Sequence, residues 1–202
     1  MSTDQIANDI TNGESRCWWC GDDELYQQYH DLEWGVPVHD ERDLFEFLCL
    51  EGAQAGLSWI TILRKRENYR RLFDNFDAQK IARYDETKIA SLLLDAGIVR
   101  NKLKVNGFVK NAKAYLHMLD QGLTLDSYLW DYVDRETVQN NWINAEQVPA
   151  NNATSDAMAK DLKKRGFTFV GSTICYAFMQ AAGLVNDHKK TCYRHQQLGG
   201  IT

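Results

Sequence analysis

The residues best suited to bind a metal ion lie in two clusters near opposite ends of the chain. The first cluster contains Cys17, Cys20 and His30, and the second contains His188 and Cys192. His188 and Cys192 are four residues apart, about one helical turn, so both side chains can face one ion. A tetrahedral zinc site built from cysteine and histidine needs four such ligands. Two ligands from each cluster would join the ends of the chain and close a very long loop.

The spacing alone leaves the ligand set open. The first cluster offers three donors for two positions, either Cys17 with Cys20 as a C-x-x-C pair or one cysteine with His30. His195 follows the second cluster. The alternative is a set of separate buried thiols and a hydrogen-bonded histidine. A redox C-x-x-C is disfavoured, because the surrounding "WWCG" is not part of a strand–helix–strand pattern.

One carboxylate lies in the apolar and small-residue segment "CLEGAQAGLSWITIL". Glu51 comes late in a predicted apolar helix, and burying a carboxylate is costly unless it is paired or functional. Gly52 and Gly56 leave room for a flat molecule to approach the backbone, and Trp59 can stack on it. The alternative is a surface glutamate at a helix end and a tryptophan in the core.

A basic helical hairpin is predicted at "LLLDAGIVRNKLK". The pattern indicates a helix, a three-residue turn from Gly97 to Val99, and a second helix. Exposed N–H groups at the start of that helix can bind a DNA phosphate. Arg100, Lys102 and Lys104 would add salt-dependent attraction. The alternative is an ordinary corner between two helices.

Apolar residues recur at helical spacing along nearly the whole chain, and the sequence holds only two prolines. The fold class predicted is therefore all-α. Asp85 and Ser155 are predicted helix caps, and residues 141–154 a loop that could divide two helical lobes. The organisation predicted is a polar tail over 1–15, a single unit over 16–195 and a C-terminal tail over 196–202.

Charge and composition restrict the classes of protein further. The net charge is −5, yet residues 1–63 hold 13 acidic and two basic side chains, whereas residues 64–202 hold 21 basic and 15 acidic ones. A basic surface on an acidic protein is compatible with a nucleic-acid partner. The sequence shows no apolar run of membrane-spanning length and no apolar signal segment, so we expect a cytoplasmic protein without a membrane partner. Five cysteines without such a signal favour reduced thiols or a metal over disulfides.

Four segments together resemble the 3-methyladenine DNA glycosylase I family of bacterial base-excision repair enzymes. They are "RCWWC…LYQQYHDLEWGVP", "LFEFLCLEGAQAGLSWITILRKRENYR", "DAGIVRNKLKVNGFVKNAKAY" and "SDAMAKDLKKRGFTFVGSTICYAFMQAAGLVNDH". The resemblance implies an all-helical helix-hairpin-helix glycosylase fold with a structural zinc. It assigns the zinc ligands to Cys17, His30, His188 and Cys192, and leaves Cys20 out of the site.

The same resemblance implies a base pocket and an activity. Glu51 matches the family's base-recognition carboxylate. The implied substrate-binding aromatics are Tyr29, Trp34, Trp59, Trp19 and Tyr26. DNA binding is expected at Gly97, Arg100, Lys102 and Lys104. Leu57, a large apolar side chain in the small-residue turn beside the expected pocket, is the candidate wedge that fills the gap left by a flipped nucleotide, and the alternative for it is simple core packing.

The activity implied is monofunctional hydrolysis of the N-glycosidic bond of N3-methyladenine in alkylated double-stranded DNA, with the free base as product. We expect a monomer. The catalytic residue implied is Glu51, acting by substrate selection and electrostatic help, and no aspartate or lysine is nominated as catalytic. The alternative is a zinc-stapled helical module that binds DNA or protein without chemistry. A hydrolase that uses zinc directly is disfavoured, because four protein ligands leave no open position for water.

Overall fold

The computed structural model describes residues 15–200, and about 60% of these residues are helical, which confirms the all-α prediction. Eleven α-helices are described within that range: α1 Glu24–Leu32, α2 Glu41–Gln54, α3 Trp59–Leu63, α4 Arg66–Leu72, α5 Ala78–Ile81, α6 Glu86–Leu94, α7 Lys102–Asp120, α8 Leu125–Trp130, α9 Ala153–Lys164, α10 Ser172–Ala181 and α11 Tyr193–Gln197. Short 3-10 turns cover Trp18–Cys20, Asp74–Phe76, Asp131–Val133 and Ala145–Gln147. Two short strands, β1 Val138–Gln139 and β2 Val185–Asn186, pair in parallel.

Helix α2 lies at the centre of the molecule. Leu44, Phe45, Leu48 and Leu50 are completely buried. Helices α3, α7, α8 and α10 all pack against it. Because every residue from 44 to 53 is buried, this helix has no solvent face near its C-terminal end. Glu51 is therefore carried into the interior by its own helix.

Short polar side chains start the helices that matter for the site. Asp23, Asp40 and Asp85 each accept a hydrogen bond from a backbone N–H in the first turn of α1, α2 and α6. These contacts satisfy N–H groups that have no partner inside the helix. The predicted cap at Asp85 is confirmed. Ser155 is not the cap of α9, because Asn152 accepts from the Ser155 N–H and the helix begins at Ala153.

The hairpin of α6 and α7 is present, with a longer connection than the sequence predicted. Helix α6 ends at Leu94 and α7 begins at Lys102, so residues 95–101 link them. The Val99 N–H donates to the Tyr69 hydroxyl at 3.1 Å, and Lys65 Nζ donates to Ala96 O at 2.7 Å. Helix α4 and the residue before it thus hold the hairpin loop in place.

The two ends of the described chain meet. Ser15 pairs with Cys192 in an isolated β-bridge, and Ser15 Oγ donates to Thr191 O at 2.7 Å. The predicted N-terminal tail otherwise lies outside the described residues. In the region of the predicted C-terminal tail, Gln197 still belongs to α11 and the Gly200 N–H donates to His195 O. No helix within residues 15–200 is long and apolar enough to cross a membrane.

Candidate functional site

One cavity collects most of the residues that the sequence predicted for a pocket. Its volume is about 190 Å³, which suits a small flat molecule better than a drug-sized ligand. Its lining consists of Trp18, Trp19, Tyr26, Tyr29, Trp34, Glu51, Gln54, Trp59, Val148, Ala177, Gln180 and Asp187. The predicted set of one carboxylate and five aromatic rings is therefore brought together at a single place.

The aromatic walls support one another. The ring of Trp19 lies 4.8 Å from that of Tyr26 and 4.9 Å from that of Trp34, measured between centroids. On another wall the rings of Tyr29 and Trp59 are 5.4 Å apart. Such tilted and edge-to-face pairs hold each ring in a fixed orientation. The cavity is thus preformed by ring-on-ring packing.

Glu51 is the chemically unusual member of this lining. It is 3% exposed, and its Oε2 has no hydrogen-bond partner among the described residues. Burial raises the pKa of the Glu51 carboxyl to about 8. The indole Nε1 atoms of Trp19 and Trp59 are also buried without partners within that range. A buried polar atom without a partner is costly, so the cavity is built for a ligand with both hydrogen-bond donors and acceptors.

Asp187 is a second buried carboxylate in the lining, and its oxygens are fully occupied. Its Oδ1 accepts from Asn140 Nδ2 and Trp142 Nε1, at 2.6 and 2.8 Å. Its Oδ2 accepts from the Tyr176 hydroxyl and Gln180 Nε2, both at 2.8 Å. Asp187 therefore stabilises the cavity wall, whereas Glu51 is left free to bind.

Cys17, His30, His188 and Cys192 form a cluster that could hold a metal ion. All four are buried, and one ligand atom from each lies within 4.8 Å of the others. His188 Nδ1 lies 3.5 Å from both sulfur atoms, and His30 Nε2 lies 3.4 Å from Cys192 Sγ. Cys20 is outside the cluster, and its thiol donates to Cys17 O at 3.1 Å. The alternative C-x-x-C pairing is not the arrangement adopted.

Neighbouring groups orient the two imidazoles. His30 Nδ1 lies 2.7 Å from Asp31 Oδ1, and His188 Nε2 lies 3.0 Å from Trp34 O. Each ring therefore turns its other nitrogen toward the cluster. The hydrogen bond between the thiols of Cys17 and Cys192 raises the pKa of the first and lowers that of the second. A cation at the centre would let both sulfurs ionise.

The hairpin supports only part of the predicted DNA-binding set. Arg100 and Lys102 are exposed. Lys104 is only 7% exposed, and its Nζ donates to Ala53 O and Ala55 O, so the free protein does not present this ammonium on its surface. Its position on the inner face of α7 was hidden by the run of basic residues around it.

Gly97 is engaged in contacts within the protein. Its N–H donates to Asp95 Oδ1 at 2.7 Å, so it is not free for a phosphate. A Cβ atom at this position would lie 2.8 Å from Asn68 Cγ. Glycine is therefore required by the close approach of α4. The N–H groups of Leu103 and Lys104 are likewise occupied, both by Asn101 Oδ1.

Leu57 lies in the loop between α2 and α3, beside the cavity residues Gln54 and Trp59. It is 40% exposed, and the preceding Gly56 has φ +77°, which favours glycine. The structure thus places a large apolar side chain on an exposed loop near the cavity, as the wedge prediction requires.

Trp18 is a cavity residue that the sequence reasoning missed. It is 45% exposed and pairs with no aromatic ring in the described part of the chain. Its place in the sequence could have indicated this role, because Trp18 lies between Cys17, a predicted zinc ligand, and Trp19, a predicted pocket residue.

The fold and this cavity define a helix-hairpin-helix protein with a pocket for a planar ligand. The family model described as methyladenine glycosylase matches residues 19–195. The chain belongs to this family.

Individual relatives agree with that assignment. The chain is 50% identical to "DNA-3-methyladenine glycosylase 1" of Escherichia coli strain K12, over 88% of this chain and 95% of the relative. It is 47% identical to "DNA-3-methyladenine glycosylase" of Haemophilus influenzae, over 88% of this chain and 96% of that relative.

Solved structures show the same fold. A crystal structure of 3-methyladenine DNA glycosylase I superposes with a TM-score of 0.88 at 50% identity, covering 89% of this chain and 98% of the other. The Staphylococcus aureus enzyme, described for its recognition of 3-methyladenine, gives 0.86 at 34% identity, covering 90% and 97%.

Proposed function

We propose that this chain is a DNA repair glycosylase that hydrolyses the N-glycosidic bond of N3-methyladenine in alkylated double-stranded DNA. The observation that carries the proposal is the buried, unpartnered Oε2 of Glu51 inside a cavity walled by aromatic rings. The family, and relatives named for 3-methyladenine, support it. Its partners are damaged DNA and the released free base.

Base selection combines stacking with one directed hydrogen bond. Methylation at N3 leaves a positive charge on the purine in DNA, and the faces of Tyr29 and Trp59 attract a flat cation by about 0.5–2 kcal/mol. Trp19, Tyr26 and Trp34 complete the aromatic enclosure. Glu51 accepts from the exocyclic amine of adenine, and guanine presents an oxygen there instead. A base that cannot donate leaves a buried acceptor unpaired, which penalises its binding.

The chemistry requires little from the protein because the methylated base is already a good leaving group. The bond between the sugar C1′ and the purine N9 breaks, and its electron pair neutralises the cationic base. Water then adds to the oxocarbenium-like sugar carbon and loses a proton to solvent. Glu51 holds the departing base, and the saturated oxygens of Asp187 have no free position to accept the proton of the water.

DNA contact is assigned to the side chains that the structure leaves exposed. Arg100 and Lys102 bind backbone phosphates and do not read the base sequence. Leu57 enters the duplex and fills the space vacated by the flipped nucleotide. We propose that the protein does this as a monomer in the cytoplasm.

The metal of the four-residue cluster is proposed to be a structural zinc ion. Zinc bonds of about 2.3 Å to sulfur and 2.0–2.1 Å to nitrogen, in a tetrahedron, require sulfur–nitrogen distances of roughly 3.6 Å. The distances of 3.4 to 3.5 Å within the cluster support this choice. Cys17, His30, His188 and Cys192 would hold the ion, which would cross-link the first and last described segments and leave hydrolysis to the base pocket.

Release of free base from methylated DNA tests the activity. The protein is incubated with duplex DNA that carries N3-methyladenine, and the supernatant is analysed by chromatography with mass detection. We expect 3-methyladenine to appear together with abasic sites and without strand cleavage. If the protein binds this DNA and releases no base, the alternative of a non-catalytic DNA-binding module is correct.

A further inference from the structure

Lys104 makes a contact that neither base binding nor phosphate binding explains. Its ammonium donates to Ala53 O and Ala55 O, each at 2.7 Å, across the interface between α7 and the end of α2. Burial lowers the pKa of this lysine. A buried charge is expensive unless it is well compensated, so the contact serves a purpose other than solubility.

The two acceptors are carbonyl groups at the C-terminal end of α2, where the last carbonyls of a helix lack partners and carry partial negative charge. Lys104 satisfies two of them and closes the helix. The end that it closes carries Glu51 and leads directly into the loop with Leu57. This loop is held further by the Leu57 N–H, which donates to Gln54 O at 2.6 Å.

Lys104 also belongs to the hairpin. It lies in the first turn of α7, and Asn101 Oδ1 accepts from its N–H at 3.2 Å. The exposed Arg100 and Lys102 lie in and just before the same turn. The start of α7 therefore presents Arg100 and Lys102 to solvent. On its inner side it presents the Lys104 ammonium, which holds the loop 55–58.

We propose that Lys104 is a positioning residue that fixes the loop 55–58 relative to the hairpin, so that Leu57 enters the duplex while the hairpin grips the backbone. This proposal rests on the proposed function. It makes extrusion of the base from duplex DNA depend on Lys104, whereas the affinity of the cavity for a free base does not.

The chain offers a matched control on the same two helices. The Tyr115 hydroxyl of α7 donates to Glu41 Oε2 at 2.6 Å. Glu41 lies in the first turn of α2, at the opposite end of this helix from Ala53. Tyr115→Phe removes a half-buried contact between α7 and α2 without touching the loop 55–58. It reports what loss of stability alone does to activity.

The first measurement needs no substrate. Hydrogen exchange is followed at the Leu57 amide in the free protein and in the variants Lys104→Met and Tyr115→Phe. We expect exchange to accelerate in Lys104→Met and to stay at the parent rate in Tyr115→Phe. Unchanged exchange in Lys104→Met would show that the ammonium does not hold the loop, whatever the enzyme's activity.

The second measurement compares excision from single-stranded and duplex DNA, since a single strand needs no extrusion from a stack. In Lys104→Met we expect duplex excision to fall by about tenfold to a hundredfold. Single-strand excision and the affinity for free 3-methyladenine should stay close to the parent values. Lys104→Arg, which keeps the charge, should restore most of the duplex rate.

Three results are decisive against the proposal or its basis. Equal loss on both substrates would mean that Lys104 is only structural. A weaker salt dependence of DNA binding in Lys104→Met would mean that its ammonium contacts a phosphate in the complex. If the parent releases no base from either substrate while loop exchange responds as expected, the proposed function fails and the loop contact stands.

Discussion

Glu51 differs from the other buried acidic side chains near the centre of the molecule. Glu46, on the same helix, is paired with Arg66 and Arg70. Asp187 accepts four hydrogen bonds. Glu51 alone among these three has an oxygen without a partner in the described residues. A buried oxygen without a hydrogen-bond partner costs folding free energy, and this cost is explained if the substrate is the partner of Glu51.

The raised pKa of Glu51 predicts how excision depends on pH. Because burial raises this pKa to about 8, the carboxyl of the free protein is mostly protonated at lower pH. A cationic base favours the carboxylate, so kcat/KM should rise with pH up to about 8 and level off above it. Glu51→Gln should give a flat profile. Glu67→Gln, at an exposed position, is the control and should keep the slope of the parent.

The same pKa shift predicts that the stability of the folded protein falls as pH rises, whereas kcat/KM rises. Between the ordinary pKa of a glutamate and about 8, the unfolded chain has an ionised Glu51 and the folded chain does not. The folded state then binds more protons, so its stability falls as pH rises through this window. The unfolding temperature of Glu51→Gln, relative to that of the parent, should therefore be higher at pH 9 than at pH 5. An equal difference at both values would contradict the shift.

Sequence patterns located Glu51 and misplaced Lys104, for a physical reason. A carboxylate among apolar and small residues can be recognised in the sequence whatever the rotation of its helix. A lysine among four other basic residues does not, and only the rotation of α7 puts Lys104 inside while Lys102 stays exposed. This rotation goes with a helix that begins at Lys102, where Asn101 caps it. The sequence pattern places the start near Arg100 instead.

At the scale of elements, the hairpin carries the proposed contact with the DNA backbone. Arg100→Ala combined with Lys102→Ala should weaken binding to all sequences alike. The slope of log affinity against log salt should flatten by about 0.9 for each lost phosphate contact. Arg42→Ala is the control, because Arg42 lies in the first turn of α2, at the end remote from the loop 55–58. An unchanged slope in the double variant would place the DNA track elsewhere.

The loop after α2 carries the proposed wedge. Leu57→Ala should slow excision from duplex DNA more than from single strands, because the side chain acts only where a base must leave a stack. Since Leu57 is 40% exposed, its loss should lower the unfolding temperature little. A parallel loss of stability and of activity on both substrates would instead identify Leu57 as a packing residue.

Elements could be predicted where local chemistry determines them and less well where contacts between distant segments do. Asp85 caps α6 as expected because a cap needs only neighbouring N–H groups. The short pairing of Val138 with Val185 was not predicted, since it joins segments far apart in the chain. The end of α6 at Leu94 was also missed, because Asp95 turns its carboxylate to Gly97.

At the scale of the whole molecule, the four-residue cluster joins the first and last described segments. Cys17→Ser should lose the bound metal and lower the unfolding temperature, because a cross-link between distant segments is removed. Cys20→Ser should keep one zinc per chain, since Cys20 lies outside the cluster. Elemental analysis of both variants gives the answer. Loss of metal from Cys20→Ser alone would reverse the ligand assignment.

The affinity of the protein for free 3-methyladenine, parent against Glu51→Gln, tests the account most directly. Titration calorimetry at pH 8 measures it, on proteins shown to carry the same metal and to bind undamaged DNA equally. Losing a hydrogen bond to a charged group in a buried site costs about 1.5–3 kcal/mol, so the dissociation constant should rise by about tenfold or more. If Glu51→Gln binds the free base as tightly as the parent, Glu51 does not select the base and the central claim is wrong.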